Sequence, residues 1–383
     1  MPGKLKYRLE VLTPVHIGSG QKLLPADYIL DPETQEVIRV DLNALFSDRS
    51  FPVGRFIAAI KEPGFSLQRK FYQSGRMYPL YRLAAADTLN ELNQHIGRPA
   101  GAILEHIKEA GQPYLPGSSL KGALRSLVVR CLIAQNPDSY EERLRQNMQG
   151  DRRSRKEFFS TSAEERVVGN PNFSLFKSLQ VSDSSTLNPQ QLQLGCTRVL
   201  SLTRRGFRWK DLGQNTNVDR PEMATPIFFE AIPAGTTLTG TLKVDETLLK
   251  GEMAQLLRYP PASRTALLEL TRICREGSRE LLRNEEEFFT KISFAPGVQA
   301  VKGILSIEQD CNANQMIIPL AWGTGYLAKA MGWKIDPDLF REVRDRFRLG
   351  RPGFEFPKSR KIIFTQGKPS GLMGWVKITL GEE

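Results

Sequence analysis

The amino-acid sequence predicts an α+β protein, on three observations. Strand-like and helix-like segments are mixed along the chain without the regular alternation that indicates a parallel sheet. Several strands come in pairs joined by short turns rich in glycine, proline or acidic residues, which is typical of hairpins. The 383 residues are sufficient for two or three domains. We divide the chain into two, at residues 1–190 and 191–383.

The composition indicates a folded protein with a polyanionic partner. Hydrophobic residues make up 40% of the chain and charged residues 25%, which is ordinary for globular proteins. Lysine and arginine number 53 against 42 acidic residues, and the net charge of +11 favours nucleic acid as the partner. Because the sequence has no 18-residue apolar run and no signal-like N-terminal segment, we expect a cytoplasmic protein without membrane contact.

Metal and cofactor sites are not expected. The four cysteines are far apart and form no C-x-x-C pair, which favours reduced core thiols over a zinc site or a disulfide framework. Gly323-Thr324-Gly325 forms a short G-x-G turn. No acidic residue follows it at the spacing of a dinucleotide-binding βαβ unit, so we exclude such a site.

The N-terminal part begins with a strand. Between residues 4 and 12 apolar and charged residues alternate strictly, which predicts a half-buried antiparallel strand. Segments 27–30 and 37–40 flank a turn and predict a hairpin. Two short helices are expected after it, at 41–46 and 53–61. Residues 64–82 show weak periodicity, and residues 87–110 mix helix and turn signals.

A glycine-rich turn, residues 13–20, follows the first strand. Gly18 and Gly20, on either side of Ser19, allow the backbone to approach a ligand, and N–H groups in such a turn can point at an anion. His16 is a candidate general base, since histidine titrates near neutral pH. The alternative, which we favour, is a loop histidine with a local hydrogen bond, because the sequence places no second acid–base group beside it.

The most informative stretch is residues 114–135. Apolar residues recur there at three- and four-residue steps from Leu120, which predicts a helix with one buried stripe. A Pro-Gly turn and two serines, Ser118 and Ser119, precede it, and a serine oxygen is expected to cap the first turn. Lys121 and Arg125 share one face near the positive end of the helix dipole, which suits a phosphate. The alternative is a capped helix with solvated basic residues.

Two later segments are basic. Residues 143–156 carry six basic residues and one acid, which predicts a mobile loop or insertion that could add electrostatic affinity for phosphates. Residues 196–209 predict a hairpin whose arginines, among them Arg198, Arg204 and Arg205, are interleaved with aromatic residues. Guanidinium and aromatic groups together suit single-stranded nucleic acid. The alternative is a hairpin tip whose arginines only keep the edge soluble.

The remaining segments complete the mixed pattern. We expect strands at 176–184, 225–230, 236–244, 316–321 and 375–380, helices at 247–257, 263–284 and 339–349, an irregular segment at 214–223, and a glycine turn at 322–326 that leads from a strand into a helix. Two ferredoxin-like (RRM-like, split βαβ) units with helical and loop insertions would fit this length and pattern.

Three motifs together resemble the RAMP superfamily of CRISPR systems. They are P-V-H-I-G-S-G after the first strand, Y-L-P-G-S-S-L-K-G-A-L-R at the opening of the helix, and P-S-G-L-M-G-W-V-K-I near the C-terminus. The V-S-D-S segment at 181–184 and the hairpin at 228–235 make the chain most similar to the type III-A subunit that caps the 3′ end of the crRNA. The resemblance implies two ferredoxin-like domains, crRNA binding, and a part in crRNA maturation and complex assembly in antiviral defence.

Carried over to this sequence, the resemblance implies a groove for RNA between two domains. The expected RNA-binding residues are His16, Gly18, Ser19, Gly20, Ser118, Ser119, Lys121, Arg125, Arg198, Arg204, Arg205, Gly371 and Gly374. The arginine hairpin would stand in place of the family's RNA-distorting thumb. Asp27 lies in the loop comparable to that of the RNA-cutting subunits but runs directly into a strand, so no catalytic residue is expected.

Three functions remain open from the sequence. The first is a non-enzymatic subunit whose partners are crRNA, the other subunits of a type III-A effector complex and a recruited host nuclease. The second is a metal-independent endoribonuclease that processes repeat RNA, with His16 as base and Lys121 as charge stabiliser. The third is a structural cap whose basic surface is incidental.

Overall fold

A computed structural model of the chain describes residues 5–149, 160–350 and 356–382. The strands in these ranges are β1 Leu5–Val11, β2 Gly18–Leu23, β3 Tyr28–Asp31, β4 Glu36–Val40, β5 Pro79–Ala84, β6 Ile103–His106, β7 Lys108–Glu109, β8 Gln112–Pro113, β9 Leu179–Val181, β10 Gln193–Thr203, β11 Gly206–Asp211, β12 Thr216–Val218, β13 Ile227–Ala231, β14 Thr237–Val244, β15 Gln315–Pro319, β16 Ser359–Thr365, β17 Lys368–Gly371 and β18 Trp375–Glu382. The helices are α1 Leu42–Ser47, α2 Val53–Ala59, α3 Leu67–Met77, α4 Leu89–His95, α5 Gly117–Gln135, α6 Asp138–Met148, α7 Thr161–Val168, α8 Gly251–Leu256, α9 Pro261–Leu268, α10 Leu270–Lys291, α11 Ala295–Gln309 and α12 Pro337–Arg346.

The first sheet is built around β1. Its five strands lie in the order β15-β18-β1-β14-β9, and every neighbouring pair is antiparallel. Leu9 of β1 lies opposite Leu238 on one side and Ile378 on the other. Tyr7, Leu9 and Val11 are buried, as their alternation with charged residues predicts. The predicted first strand is therefore confirmed within the described residues and is central in its sheet.

Helices α5 and α10 pack on each other beside this sheet. A Cβ at Gly277 of α10 would lie 3.1 Å from the Leu127 side chain of α5, so the absence of a side chain permits the close approach. The helix predicted at 263–284 is two helices, α9 and α10, because Glu269 leaves the helical conformation between them (φ −104°, ψ 32°). Helix α11 was not predicted.

The second sheet combines parallel and antiparallel pairs around the long strand β10. Its main path is β2-β6-β13-β10-β5-β4-β3, and β11, β12, β16 and β17 extend it from β10. Cys196 of β10 pairs with Phe228 of β13 and with Phe364 of β16, while Leu200 pairs with Trp209 of β11. The predicted arginine hairpin is confirmed as β10 and β11, with Arg204 and Arg205 in its turn.

Several local predictions are wrong, mostly where distant partners decide the conformation. Residues 143–148 belong to α6 rather than to a loop, and residues 150–156 of that basic segment lie outside the described residues. The segment 214–223, expected to be irregular, contains β12. Residues 64–82, for which no element was predicted, contain α3 and most of β5. The turn at 322–326 does not lead into an α-helix; the next regular element is a single 3-10 turn at 332–334.

The α+β class is confirmed. Each of the two large sheets takes strands from both sides of residue 190: β1 and β14 pair in the first, and β6 and β13 pair in the second. The division at residue 190 stays a prediction. None of the helices in the described part of the chain is long and apolar enough to cross a membrane.

Candidate nucleic-acid interface

The connection between β1 and β2 is where the predicted segments meet. The backbone N–H of Gly374 donates to the Pro14 carbonyl oxygen at 2.9 Å, and the N–H of Trp375 donates to the Thr13 hydroxyl at 2.9 Å. The glycine-rich C-terminal segment is thus bonded to the loop that carries His16 and leads to Gly18. Two of the three motifs are therefore in direct contact, although Thr13 and Trp375, which are bonded here, are 362 positions apart in the sequence.

The third motif is joined to the same connection by His106 of β6. Its Nδ1 accepts a hydrogen bond from the Ile17 backbone N–H at 3.2 Å, and its Nε2 lies 3.1 Å from the Tyr114 carbonyl oxygen. Ile17 immediately precedes β2, and Tyr114 lies three residues before α5. The start of α5 and the Gly18–Gly20 backbone are therefore held at a fixed spacing by one buried imidazole.

Gly18, Ser19 and Gly20 form the exposed start of a strand rather than a turn. They belong to β2, whose register with β6 shifts between Gly18 and Lys22. Gly20 has φ +89° and nothing near the position of a Cβ, so its backbone is open to a ligand. The Ser19 hydroxyl donates to Glu105 at 3.0 Å. A bulge of this kind re-aims backbone groups at the edge of a sheet.

His16 lies beneath this segment and not on it. The ring is 2% exposed, and its Nδ1 is 2.8 Å from the Glu230 carbonyl oxygen. Burial lowers the pKa of His16 to about 4, with a smaller effect from the Lys108 charge, so the ring is neutral at physiological pH. The ring makes a hydrogen bond, as the alternative to the general-base role expects, but its partner Glu230 is distant in the sequence rather than local. The side chain can support the neighbouring backbone but presents almost no surface to RNA.

A buried charge network fixes β6 below the same segment. The Glu230 carboxylate is 0% exposed and accepts from Lys108 Nζ at 2.5 Å, from the Tyr81 hydroxyl at 2.5 Å and from the His106 backbone N–H at 2.9 Å. Burial, together with the Glu230 charge, raises the pKa of Tyr81, which keeps its hydroxyl protonated as a donor. All three donors hold one carboxylate, so this cluster is a rigid support.

The start of α5 differs from the predicted one. The helix begins at Gly117, and no serine side chain caps it. Instead the Asp183 carboxylate accepts from the Gly117 N–H at 2.7 Å. An aspartate therefore occupies the first N–H group at the positive end of the helix, which is where a phosphate would otherwise bind.

The polar side chains that follow Gly117 in α5 differ in how exposed they are and in whether they form an ion pair. Ser118 is exposed, and Ser119 and Lys121 are half-buried. Burial lowers the pKa of Lys121, and no carboxylate of the described residues lies within 4 Å of its ammonium group. Arg125, by contrast, forms an ion pair with Glu164 at 2.5 Å. Of the two cations, only Arg125 is neutralised by a carboxylate of the described residues.

The arginine hairpin separates into exposed and buried arginines. Arg204 and Arg205 are exposed at the tip, where they line a cavity of about 410 Å³ together with Arg208 and Lys358. Arg198 is 4% exposed, forms an ion pair with Glu91, and lies 4.3 Å above the Phe364 ring. Arg198 thus supports the hairpin from within the fold, and the tip carries the exposed charge.

Gly371 and Gly374 are less open than the motif suggests. Gly371 ends β17 and is half-buried, and Gly374 is buried with φ +81°. A Cβ on Gly374 would overlap Thr324 and the Leu320 carbonyl oxygen. This glycine is needed for close packing of the chain beneath the 320–324 segment, and a direct contact with RNA is not required to explain it.

Sequence reasoning missed the residues that join these segments. His106, Lys108, Tyr81 and Glu230 come from separate strands, and no local pattern signals their contact. Asp183 of the V-S-D-S motif caps α5, and the sequence alone did not predict this role. Among the residues that the structure describes, no group of three or more histidine, cysteine, aspartate or glutamate side chains is placed to hold a metal ion.

Two relatives of known name match this chain over almost its whole length. A relative from Methanocaldococcus jannaschii, named CRISPR system Cms protein Csm5, is 22% identical over 99% of this chain and 89% of its own length. The protein of the same name from Mycobacterium tuberculosis is 26% identical over 92% of this chain and 89% of its own length. These names agree with the subunit type that the motifs suggested.

Two solved structures share the fold. A chain of a Csm–crRNA–target RNA ternary complex of a type III-A CRISPR–Cas system superposes with a TM-score of 0.68 at 22% identity, covering 98% of this chain and 100% of that one. The crystal structure of T. onnurineus Csm5 gives a TM-score of 0.61 at 21% identity, covering 96% and 99%. A family model described as the RAMP superfamily matches residues 8–300. Because that match covers most of the sequence, the chain belongs to the RAMP superfamily.

Proposed function

We propose that this chain is a non-enzymatic crRNA-binding subunit of a type III-A CRISPR effector complex. It would bind the 3′ end of the crRNA as single-stranded RNA and support crRNA maturation and complex assembly in antiviral defence. The observation that carries the proposal is the convergence of three distant motifs on residues 12–18, through His106 and Gly374. A similar chain belongs to a Csm–crRNA–target RNA complex, and the relatives bear the name Csm5.

RNA would be held mainly through its phosphates. The accessible groups are the exposed Gly18–Gly20 backbone and the half-buried Lys121, which belong to the motifs, and the exposed hairpin tip at Arg204 and Arg205. Such contacts position a strand without reading its sequence. His16 and Arg198 would act beneath the surface, by fixing the groups that touch RNA.

We also propose how the subunit is organised and where and with what it acts. It includes two ferredoxin-like domains with a groove between them, action in the cytoplasm, contacts to the other Csm subunits, and trimming of the crRNA by a recruited host nuclease. These parts rest on the likeness to the Csm5 proteins and are separable from RNA binding itself.

The test is RNA binding by the purified full chain after bound nucleic acid has been removed. Fluorescence anisotropy with single-stranded RNAs of several sequences would give the affinity as a function of salt. Lys121→Ala should weaken binding to all of them and lower the slope of log K against log salt by about 0.7, the value for one lost phosphate contact in a single strand.

The matched control is Lys61→Ala, which removes an exposed lysine that follows α2. Its slope should equal that of the wild type. A wild-type chain that does not bind RNA even at low salt would overturn the proposed function. Binding with an unchanged slope in Lys121→Ala would leave the function standing and remove the helix-start site.

A further inference from the structure

A cavity of about 500 Å³ lies between strands β2, β5 and β6 and the β7–β8 hairpin. The turn of that hairpin forms one wall, and its residues Ala110 and Gly111 have φ angles of +47° and +81°. Positive φ at both central residues is typical of a tight two-residue turn. Ser19 lines the cavity from β2, and Leu80 and Tyr81 line it from β5. The cavity therefore borders on the glycine-rich motif that follows β1.

The cavity has a surplus of negative charge. Among the described residues that line it, Glu105 and Lys108 carry the charges. The Lys108 ammonium is 2.5 Å from the buried carboxylate of Glu230 and 3.5 Å from that of Glu105, so one ammonium serves two carboxylates. Because like charges repel, a phosphate is disfavoured at this place, and a ligand that offers N–H donors is favoured.

Glu105 has hydrogen-bonding capacity left for such a ligand. Its side chain is 24% exposed. One carboxylate oxygen accepts from the Ser19 hydroxyl at 3.0 Å, and the other has the 3.5 Å contact with Lys108. A carboxylate can accept about four hydrogen bonds, so both oxygens can accept from a further donor. The carboxylate that faces the cavity is thus fixed by Ser19 and still open to a ligand.

The other lining residues suit the face and the edge of a nucleobase. Leu80 is 56% exposed and, with Pro189, gives the cavity apolar surface. Gln112 is exposed and carries an amide that can donate or accept. Apolar walls with a few polar groups are typical of sites for small planar molecules. Single-stranded RNA presents unstacked bases whose edges proteins read by hydrogen bonds.

We propose that this cavity binds one base of the RNA strand that lies on the Gly18–Gly20 backbone, and that Glu105 selects guanine. Guanine carries two adjacent donors, N1–H and the N2 amino group, which can donate together to one carboxylate. Adenine and cytosine offer a single amino group, and the N3–H of uracil stands between two carbonyl oxygens that a carboxylate repels. The inference rests on the proposed function and deepens it, because phosphate contacts carry no sequence information whereas this contact reads one base.

The test uses the full chain and an oligo(U) RNA in which one internal uridine is replaced in turn by guanosine, inosine, adenosine or cytidine. Fluorescence anisotropy in EDTA at one salt concentration gives the Kd of each. The guanosine RNA should bind about tenfold more tightly than oligo(U), which is the scale of one bidentate contact to a base. Inosine keeps the N1–H and lacks the amino group, so its RNA should fall between the two.

Glu105→Gln is the matched variant, because it keeps the size of the side chain and an acceptor for Ser19 while it removes the carboxylate. It should bind the guanosine RNA and oligo(U) about equally. Glu109→Gln is the control. Glu109 is exposed on the same hairpin and is not one of the residues that line the cavity, and its substitution changes the net charge by the same amount. This control should keep the preference for guanosine.

The outcomes separate the base site from the proposed function. If the wild type binds none of these RNAs, the proposed function fails and the base site with it. If the wild type binds all of them equally or prefers another base, or if Glu105→Gln keeps the preference for guanosine, the site is wrong and the function stands. The melting temperature of each variant establishes that it is folded. A preference for guanosine that weakens with inosine, is absent in Glu105→Gln and persists in Glu109→Gln supports the site.

Discussion

The Ile17 backbone N–H donates to Nδ1 of His106 at 3.2 Å, and the other nitrogen of the same ring lies 3.1 Å from the Tyr114 carbonyl oxygen. Burial lowers the pKa of His106 to about 3, so the imidazole is neutral. Because an N–H only donates and a carbonyl only accepts, the ring carries its proton on Nε2. The spacing between the Gly18 backbone and α5 depends on this one tautomer.

His106→Phe tests that link. The substitution keeps an aromatic ring but leaves the Ile17 N–H and the Tyr114 carbonyl unpaired in a buried place, so we expect the free energy of unfolding to fall by about 2 kcal/mol or more. RNA affinity should also fall while the salt slope stays unchanged, since no phosphate ligand is removed. Urea unfolding and anisotropy measure the two effects.

The control for this substitution is His95→Phe, since His95 is half-exposed at the end of α4. It should change neither quantity by a comparable amount. Equal stability and equal RNA affinity in His106→Phe and the wild type would show that the link has no structural role.

Because two histidines are buried in the neutral form, we expect the free energy of unfolding to fall in mild acid. Burial lowers the pKa of His16 to about 4 and that of His106 to about 3, against an ordinary value of 6.5 in the unfolded chain. The unfolded chain therefore takes up protons below pH 6.5 that the folded chain does not bind. The contribution of each neutral histidine to the free energy of unfolding is fully present above that pH. It is lost as the pH falls toward 4, by up to about 1.4 kcal/mol per pH unit for each histidine.

Urea unfolding between pH 7.5 and pH 5 checks this slope, and His106→Phe should lose about half of it. A free energy of unfolding that is flat over this range in the wild type would contradict the buried neutral state of both rings.

The elements that could be predicted are those whose pattern is local. Strand β1, helix α5 and the β10–β11 hairpin were predicted because side chains that alternate, or recur every three to four residues, must share a buried face. The charged tip of the hairpin was also predictable, since Arg204 and Arg205 occupy a turn.

The elements that could not be predicted depend on residues distant in sequence. Asp183 replaces the expected serine cap of α5 from 66 positions away, because β9 ends beside Gly117. Gly18 to Gly20 begin a strand only because β6 pairs with the residues on both sides of the irregularity, Gly18 and Lys22. The buried position of Arg198 follows from Glu91 and Phe364, which a count of arginines along the hairpin does not show.

Glu230 is expected to be essential for folding. Its buried carboxylate accepts from Lys108 and Tyr81, so Glu230→Gln removes the closer of the two carboxylates beside the Lys108 ammonium, the other being Glu105 at 3.5 Å. We expect this to cost about 3 kcal/mol of unfolding free energy. The double variant Glu230→Gln/Lys108→Met removes both charges, and part of that loss should return. Chemical denaturation of Glu230→Gln, Lys108→Met and the double variant gives the coupling energy. A double variant that loses the sum of the two single losses would mean that the pair is not coupled.

Substitution of an exposed hairpin arginine should change RNA binding, whereas substitution of a buried one should change stability. Arg205→Ala removes an exposed charge at the tip and should lower the salt slope of RNA binding by about 0.7 with little change in stability. Arg198→Ala breaks a buried ion pair and should lower stability by about 3–5 kcal/mol. Anisotropy and urea unfolding separate the two. A destabilised Arg205→Ala, or a stable Arg198→Ala with a reduced slope, would reverse the assignment.

The endoribonuclease alternative makes the opposite prediction about His16. A general base works best with a pKa near the operating pH, whereas burial lowers the pKa of His16 to about 4 and its Nδ1 is 2.8 Å from the Glu230 carbonyl oxygen. We therefore expect repeat RNA to stay intact when incubated with RNA-free protein in EDTA, as followed on a denaturing gel, while the protein still binds it. A product that persists in EDTA, grows with protein concentration and disappears in a His16→Ala variant that still folds and binds RNA, but not in His95→Ala, would establish the nuclease instead.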